Sequence, residues 1–498
     1  MAIKSTLGAR RIVFCAGASL LSTLACLPGL AEHFKVSDSS TETKGGETLS
    51  VGDSLTVTSS GKVHAIESGT DVEEQSLESS ADHTAITNSG EIAVVEVAFG
   101  AASACIGRAV GLGGKGKQAE IGSVVIDGKR TIAMGWMKME ETNINGRSGW
   151  PQVDNLELGV LDEAQKHGFD FVMQYYPWRN DEREYGANRA EVLAYMDQAQ
   201  ARGVKIMIDI HGPALLDEIT RFANIVKNHP ALYGYYLGDE PDSRYWISGS
   251  KPCAPAELIL RYKTLRAEDP DANHPVSIAF AMNLPKSEAQ SYFPACNLAF
   301  AECYPTAWNP TYPSEYPFVA ADVAVAKSAG LEYMTVPRLF GDPYIDMPTP
   351  EEFKYMVFAP ISVGAGGFMP HIFEGWVPSP PVDEPSAGFR NVIVYPATDI
   401  LRDIRSTLVK GDLIATSNNA DDDVTWVFGG DANEAVLVAV NNDPNLSKIS
   451  IDFTLPGLDP SVRTAEVLGE ERKMMLDAKK SFKDSFDPYG VHVYQFRR

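Results

Sequence analysis

The segment Leu237-Gly238-Asp239-Glu240-Pro241 sets two carboxylates side by side at the end of an apolar run that begins at Leu232. Other acids end other apolar runs. Glu302 follows Leu298-Ala299-Phe300-Ala301, Glu374 follows the run from Gly367 to Phe373, and Asp342 lies just beyond Tyr333 to Leu339. Two carboxyl groups facing each other across a pocket can cleave a glycosidic bond: one protonates the leaving oxygen while the other attacks the anomeric carbon or activates water. Trp136, Tyr175, Tyr176, Trp178 and Tyr304 also stand at the ends of apolar runs, and their flat faces suit the apolar face of a sugar ring. His211, Asn283, Arg338 and His371 occupy the same kind of position and can hydrogen-bond sugar hydroxyls. The chain has no His pair at metal-ligand spacing, no Gly-rich phosphate loop and no Gly-x-Ser-x-Gly elbow. No metal and no cofactor are therefore expected.

These residues need elements that bring them to one place. From Ile132 onward, apolar runs alternate with stretches of helical spacing, the order of a parallel βα array. The strands are read at Ile132 to Trp136, Phe169 to Tyr176, Val204 to His211, Leu232 to Glu240, Val276 to Met282, Leu298 to Tyr304, Tyr333 to Leu339 and Gly367 to Phe373. Helical spacing is read at 156–167, 190–202, 215–228, 256–268, 286–292, 319–329, 351–363 and 397–408. Eight such units close a (β/α)8 barrel, the TIM barrel, whose active site forms at the C-terminal ends of its strands. The acids and rings above stand at those ends.

The strand-four tip carries a resemblance. Asn228-His229-Pro230-Ala231-Leu232-Tyr233-Gly234-Tyr235-Tyr236-Leu237-Gly238-Asp239-Glu240-Pro241 resembles the corresponding stretch of clan A-like (β/α)8-barrel glycoside hydrolases, over about 60% of the chain. The resemblance implies that Glu240, the Glu before Pro, is the general acid/base. It also implies a nucleophilic Glu on strand seven, and here the chain departs from the pattern, because Tyr333 to Asp342 contains none. Glu302 on strand six ranks first as the second carboxylate, then Glu374, then Asp342. The spacing of the two carboxyls, and with it retaining or inverting chemistry, stays open at this level. Asp239 is expected to tune Glu240 or to hold a substrate hydroxyl. Asp-Glu-Pro also suits a solvated helix start, where acids and Pro favour the first turn; its place after a continuous apolar strand favours the site reading. The function expected is hydrolysis of a poly- or oligosaccharide. The alternative is a non-catalytic carbohydrate-binding or surface-adhesion protein on the same scaffold.

The remaining segments frame the barrel. Lys4, Arg10 and Arg11 precede an apolar stretch from Ile12 to Leu27, so residues 1–31 are expected to be a signal peptide removed on export to a secreted or periplasmic location. Cys26 gives lipidation as a second possibility, and no transmembrane segment is expected in the mature chain. Losing the three basic residues of that segment takes the net charge from −23 to −26, which disfavours nucleic acid and anionic membranes as partners. Four cysteines then remain, Cys105, Cys253, Cys296 and Cys303, with bridges and buried thiols both open. Residues 32–118 are rich in Ser, Thr and Gly with short β-prone runs, and Ile86 to Ile92 resembles the strand-and-turn units of β-helical proteins, with a disordered or loosely packed linker as the alternative for residues 32–60. Asp127-Gly128 marks a tight hairpin ahead of the barrel, which is placed at 119–410. Alternating apolar runs in 411–498 predict a C-terminal antiparallel β-sandwich.

Overall fold

A computed structural model describes residues 118–138, 158–174, 185–210, 216–242, 253–281, 284–302, 316–341, 347–376, 388–411, 413–420, 423–443 and 445–498, together with short strands between residues 12 and 99. The chain divides into two compact units, Met1–Gly111 and Leu112–Arg498. In the first, eight of the strands join in three parallel sheets. His33–Val36, Ser54–Val57 and Ala85–Asn88 form one, Thr48–Leu49, Leu77–Ser79 and Val97–Phe99 a second, and Lys62–His64 with Glu91–Val94 the third. Successive strands visit the three sheets in turn from Ser54 to Phe99, the winding of a parallel β-helix and the pattern expected around Ile86.

The second unit holds the barrel. Ala133–Lys138, Phe171–Gln174, Lys205–Asp209, Leu232–Asp239, Val276–Phe280, Leu298–Ala301, Glu332–Thr335 and Gly367–Phe368 close into one parallel ring, the eight strands expected and in that order. Helices lie between them at Leu158–His167, Tyr185–Ala201, Leu216–Val226, Pro255–Glu268, Tyr316–Ser328, Pro350–Ser362 and Tyr395–Leu408, with a single turn at Ser287–Gln290. Their ends match the spacing-based limits to within a few residues; Tyr185–Ala201 begins five residues early.

Side-chain alternation splits each strand between two cores. One set of residues, among them Met134, Trp136, Val172, Ile206, Ile208, Ile278 and Ala299, packs outward against the helices. Ala133, Met137, Phe171, Met173, Met207, Tyr236, Ala279, Leu298, Phe300, Met334, Val336 and Met369 fill the lumen. Gly135 is required there, because a Cβ would lie 2.3 Å from the Phe171 ring. The hairpin ahead of the barrel closes its N-terminal end: Val124–Ile126 pairs with Lys129–Thr131 through a turn in which Asp127 and Gly128 both have positive φ, 49° and 74°. Val124 joins the lumen core, and Asp127 pairs with Lys205 at 2.6 Å.

The C-terminal strands form a five-stranded antiparallel sheet in the order Val424–Gly430, Glu434–Asn441, Val491–Arg497, Thr464–Val467 and Arg472–Met475, beside the pair Lys448–Thr454 and Ser481–Phe486. Val427, Val436, Val438, Val440, Val491 and Val493 lie on the face that joins the barrel's outer core. Trp426, Phe428, Leu437, Tyr494 and Phe496 lie on the other face, packed with Phe453 and Phe482 of the strand pair. This is the expected sandwich, and it shares a compact unit with the barrel.

Candidate active site

Strand alternation decides which residues at the C-terminal ends face the lumen. On strand six Leu298 and Phe300 point inward, so Glu302 does as well, with its backbone N–H donating to the Phe280 carbonyl at 3.0 Å. On strand three the inward Met207 makes Asp209 inward, and only 2% of Asp209 is exposed. Strand four reaches the same result through a bulge. Its register against strand five skips from Tyr236 opposite Ser277 to Gly238 opposite Ile278, so Leu237 and Gly238 both face outward. A Cβ on Gly238 would meet Leu258 at 3.0 Å and Ile278 at 3.3 Å in the outer layer. The extra residue turns Asp239 into the lumen, where the Tyr236 hydroxyl donates to its Oδ1 at 2.6 Å.

Glu240 follows with φ 43°, a left-handed backbone uncommon outside glycine, and its N–H donates to Ala279 O at 2.8 Å. The turn brings the Glu240 carboxyl into a hydrogen bond with that of Glu302. A carboxyl–carboxyl hydrogen bond needs one proton, since two carboxylates only accept. Burial raises the pKa of Glu240 above the ordinary carboxylate value; the hydrogen bond with Glu302 opposes the rise, and the charges of Asp239 and Asp242 add to it. Asp242 is itself raised by burial, and it accepts the Ala281 N–H at 3.0 Å.

Beyond Pro337, strand seven continues into the short strand Arg338–Phe340, which runs parallel to His371–Trp376 with Arg338 opposite His371. Arg338 is 1% exposed and donates to Phe340 O at 2.7 Å. The His371 ring meets Phe340 edge-on at 5.5 Å. Burial pushes its pKa down to about 4, with the charge of Asp239 pulling the other way. At neutral pH this imidazole is uncharged.

Of the residues singled out from sequence, the structure therefore gathers Asp239, Glu240, Glu302, Arg338 and His371 at the C-terminal end of the lumen. Trp136 is a correction. Its parity on strand one is outward, it is fully buried, and its ring stacks on Phe169 at 4.8 Å and meets Phe373 edge-on at 5.2 Å. It is packing within the barrel's outer core, with no face open to a sugar. Tyr175, Tyr176, Trp178, His211, Asn283, Tyr304 and Asp342 lie outside the described residues, as do Cys105 and Cys303. Glu374 falls on the strand His371–Trp376, where its side chain is not described. Cys253 and Cys296 carry free thiols. Asp209 is a further inward acid: counting from inward Met207 finds it in the sequence, whereas the strand's last residue points to His211 instead.

No family model matches the chain, and no curated protein does. Among solved structures it is similar to an endoxylanase of glycoside hydrolase family 30 from Clostridium papyrosolvens, at 13% identity and TM-score 0.44 over 78% of this chain and 99% of that one. It is also similar to a family 30 subfamily 8 xylanase from Clostridium acetobutylicum (13% identity, TM-score 0.41, covering 76% and 98%) and to an Anoxybacillus α-amylase (11%, 0.45, covering 74% and 98%). These proteins are glycoside hydrolases. Likeness at this level says nothing by itself about what the present chain cleaves or binds.

Proposed function

We propose that the protein is an exported glycoside hydrolase acting on a poly- or oligosaccharide, with Glu240 as general acid/base and Glu302 as its partner. The observation that carries this reading is the contact between the Glu240 and Glu302 carboxyls at the C-terminal end of the barrel, where burial raises the pKa of Glu240 above the ordinary carboxylate value. A raised carboxyl pKa is what a general acid at mild pH needs.

Carboxyls in hydrogen-bond contact stand well inside the separation of about 6.5–9.5 Å that lets a water sit between them in inverting enzymes. A pair in contact lies nearer the roughly 5–5.5 Å of retaining enzymes, so retention is the stereochemistry proposed. Glu240 donates its proton to the glycosidic oxygen as Glu302 attacks the anomeric carbon; the carbon–oxygen bond breaks and the leaving sugar departs as an alcohol. Glu240 then takes a proton from water, the oxygen of that water attacks the same carbon, and Glu302 is released. Asp239, fixed by Tyr236, holds a substrate hydroxyl, and Arg338 and His371 line the same end of the lumen. Tyr175, Tyr176, Trp178, His211, Tyr304 and Glu374 are proposed to complete the substrate contacts. An acidic chain of net charge −23 suits neutral glycans over polyanions. The segment 1–31 directs export.

A panel of plant, algal and bacterial glycans with product analysis identifies the substrate, and proton NMR in the first minutes reads the anomer released. Retention is expected. First-formed product of inverted configuration would overturn the assignment of Glu302 as nucleophile.

A further inference from the structure

The imidazole of His371 offers more than a place in the lining. Its Nδ1 is buried with no hydrogen-bond partner among the described residues, while the residue as a whole keeps partial exposure. Neutral imidazole carries one N–H and one bare nitrogen. A buried N–H with no acceptor is among the rarest features of folded proteins, and an unmet acceptor is tolerated more often. The proton therefore belongs on Nε2, which is not among the buried unpartnered atoms. Among the described residues, the charged groups around the ring are Asp239, whose field reaches it, and Arg338, its neighbour across the paired strands. Burial outweighs the pull of Asp239, so the ring stays neutral down to acid pH. A group in that state is no acid or base for the reaction but a constant donor.

We propose that His371 donates Nε2–H to a substrate oxygen beside the Asp239 carboxylate, so that donor and acceptor together recognise two hydroxyls of one sugar ring. The proposal rests on the glycosidase reading and adds a specificity determinant to it. Asp239 cannot donate and is already anchored by Tyr236 at 2.6 Å, so it takes a proton from one hydroxyl. His371 supplies the complementary half. Sugars lacking either hydroxyl leave one of these buried groups unmet, and such vacancies discriminate strongly.

Nitrogen-15 NMR of the full-length, histidine-labelled protein reads the tautomer directly, with His371→Gln assigning the signal. A neutral ring protonated at Nε2 and unchanged from pH 5 to 8 is expected. A ring protonated at Nδ1, or one that titrates in that range, overturns the proposal. On the glycan whose cleavage Glu240→Gln abolishes, His371→Ala is expected to lower kcat/KM about tenfold or more. His371→Gln, which restores an N–H near the same place, stays within about threefold of the native enzyme on the same scale. The matching deoxy-sugar substrate is a poor one for the native enzyme and no worse than the parent for His371→Ala. Glu240-dependent cleavage that His371→Ala leaves untouched overturns the donor role alone. Absence of any Glu240-dependent cleavage overturns the glycosidase reading, and the substrate contact with it.

Discussion

The left-handed backbone at Glu240, φ 43°, costs on the order of 1 kcal/mol or more, and such conformations persist where the surroundings fix them. Here the bulge at Leu237 and Gly238 and the bond to Ala279 O fix it, and the result is contact with Glu302. The Asp-Glu-Pro motif announced an acid at this tip, and the clean end of the apolar run at Ala301 announced its partner. What stayed hidden was parity. Trp136 and Asp209 differ in role because one follows outward Met134 and the other follows inward Met207, which becomes visible only once the lumen is known. The charge of Asp239 contributes to holding the Glu240 pKa up, so Asp239→Asn lowers that pKa. An acid must be protonated to work, so the alkaline limb of the pH–rate profile is expected to move to lower pH in this variant. An unmoved limb would mean that the limb reports another group.

Among the elements, the five-stranded C-terminal sheet behaves as part of the barrel's own packing. Its strand Glu434–Asn441 reads as nearly continuous apolar sequence because both faces are covered: Val436, Val438 and Val440 join the barrel's outer core while Leu437 and Ala439 face the strand pair. Polar contacts cross the same junction, with Ser362 and Thr425 hydroxyls 2.6 Å apart and Lys354 Nζ donating to Val491 O at 2.9 Å. Strand periodicity predicted the sandwich but could not say which face docks, since Val and Ala on either face look alike in sequence. Val438→Ala removes two buried methyl groups and is expected to cost about 2 kcal/mol. Calorimetry should show the barrel and the sheet melting in one transition that moves down as a whole. Two transitions, with the barrel's unmoved, would show that the sheet folds as a separate domain.

Across the whole molecule, the two ends of the barrel carry acids of different purpose. Glu332, at the start of strand seven, accepts the Val125 N–H of the floor hairpin, and burial still pushes its pKa up to about 7. The folded state thus holds a proton that the unfolded chain releases near 4.5. The contribution is full below about pH 4.5 and is lost as pH rises through 7, an amount on the order of 3 kcal/mol. Glu332→Gln keeps a neutral group at every pH, so urea melts should show the variant gaining on the native protein between pH 5 and 8. Equal pH dependence of the two would exclude Glu332 as the source. Eight βα units were legible because their period is long and repeated; the parallel winding of residues 54–99 was only hinted at by Ile86 to Ile92, since its coils share spacing more than residue type. The central claim is that Glu240 protonates the leaving glycoside, and the most direct measurement is product release from the cleaved glycan by the native enzyme and by Glu240→Gln, with both folded to the same melting temperature. The account predicts a fall of at least about 100-fold in kcat. Release by the variant at the native rate would contradict it.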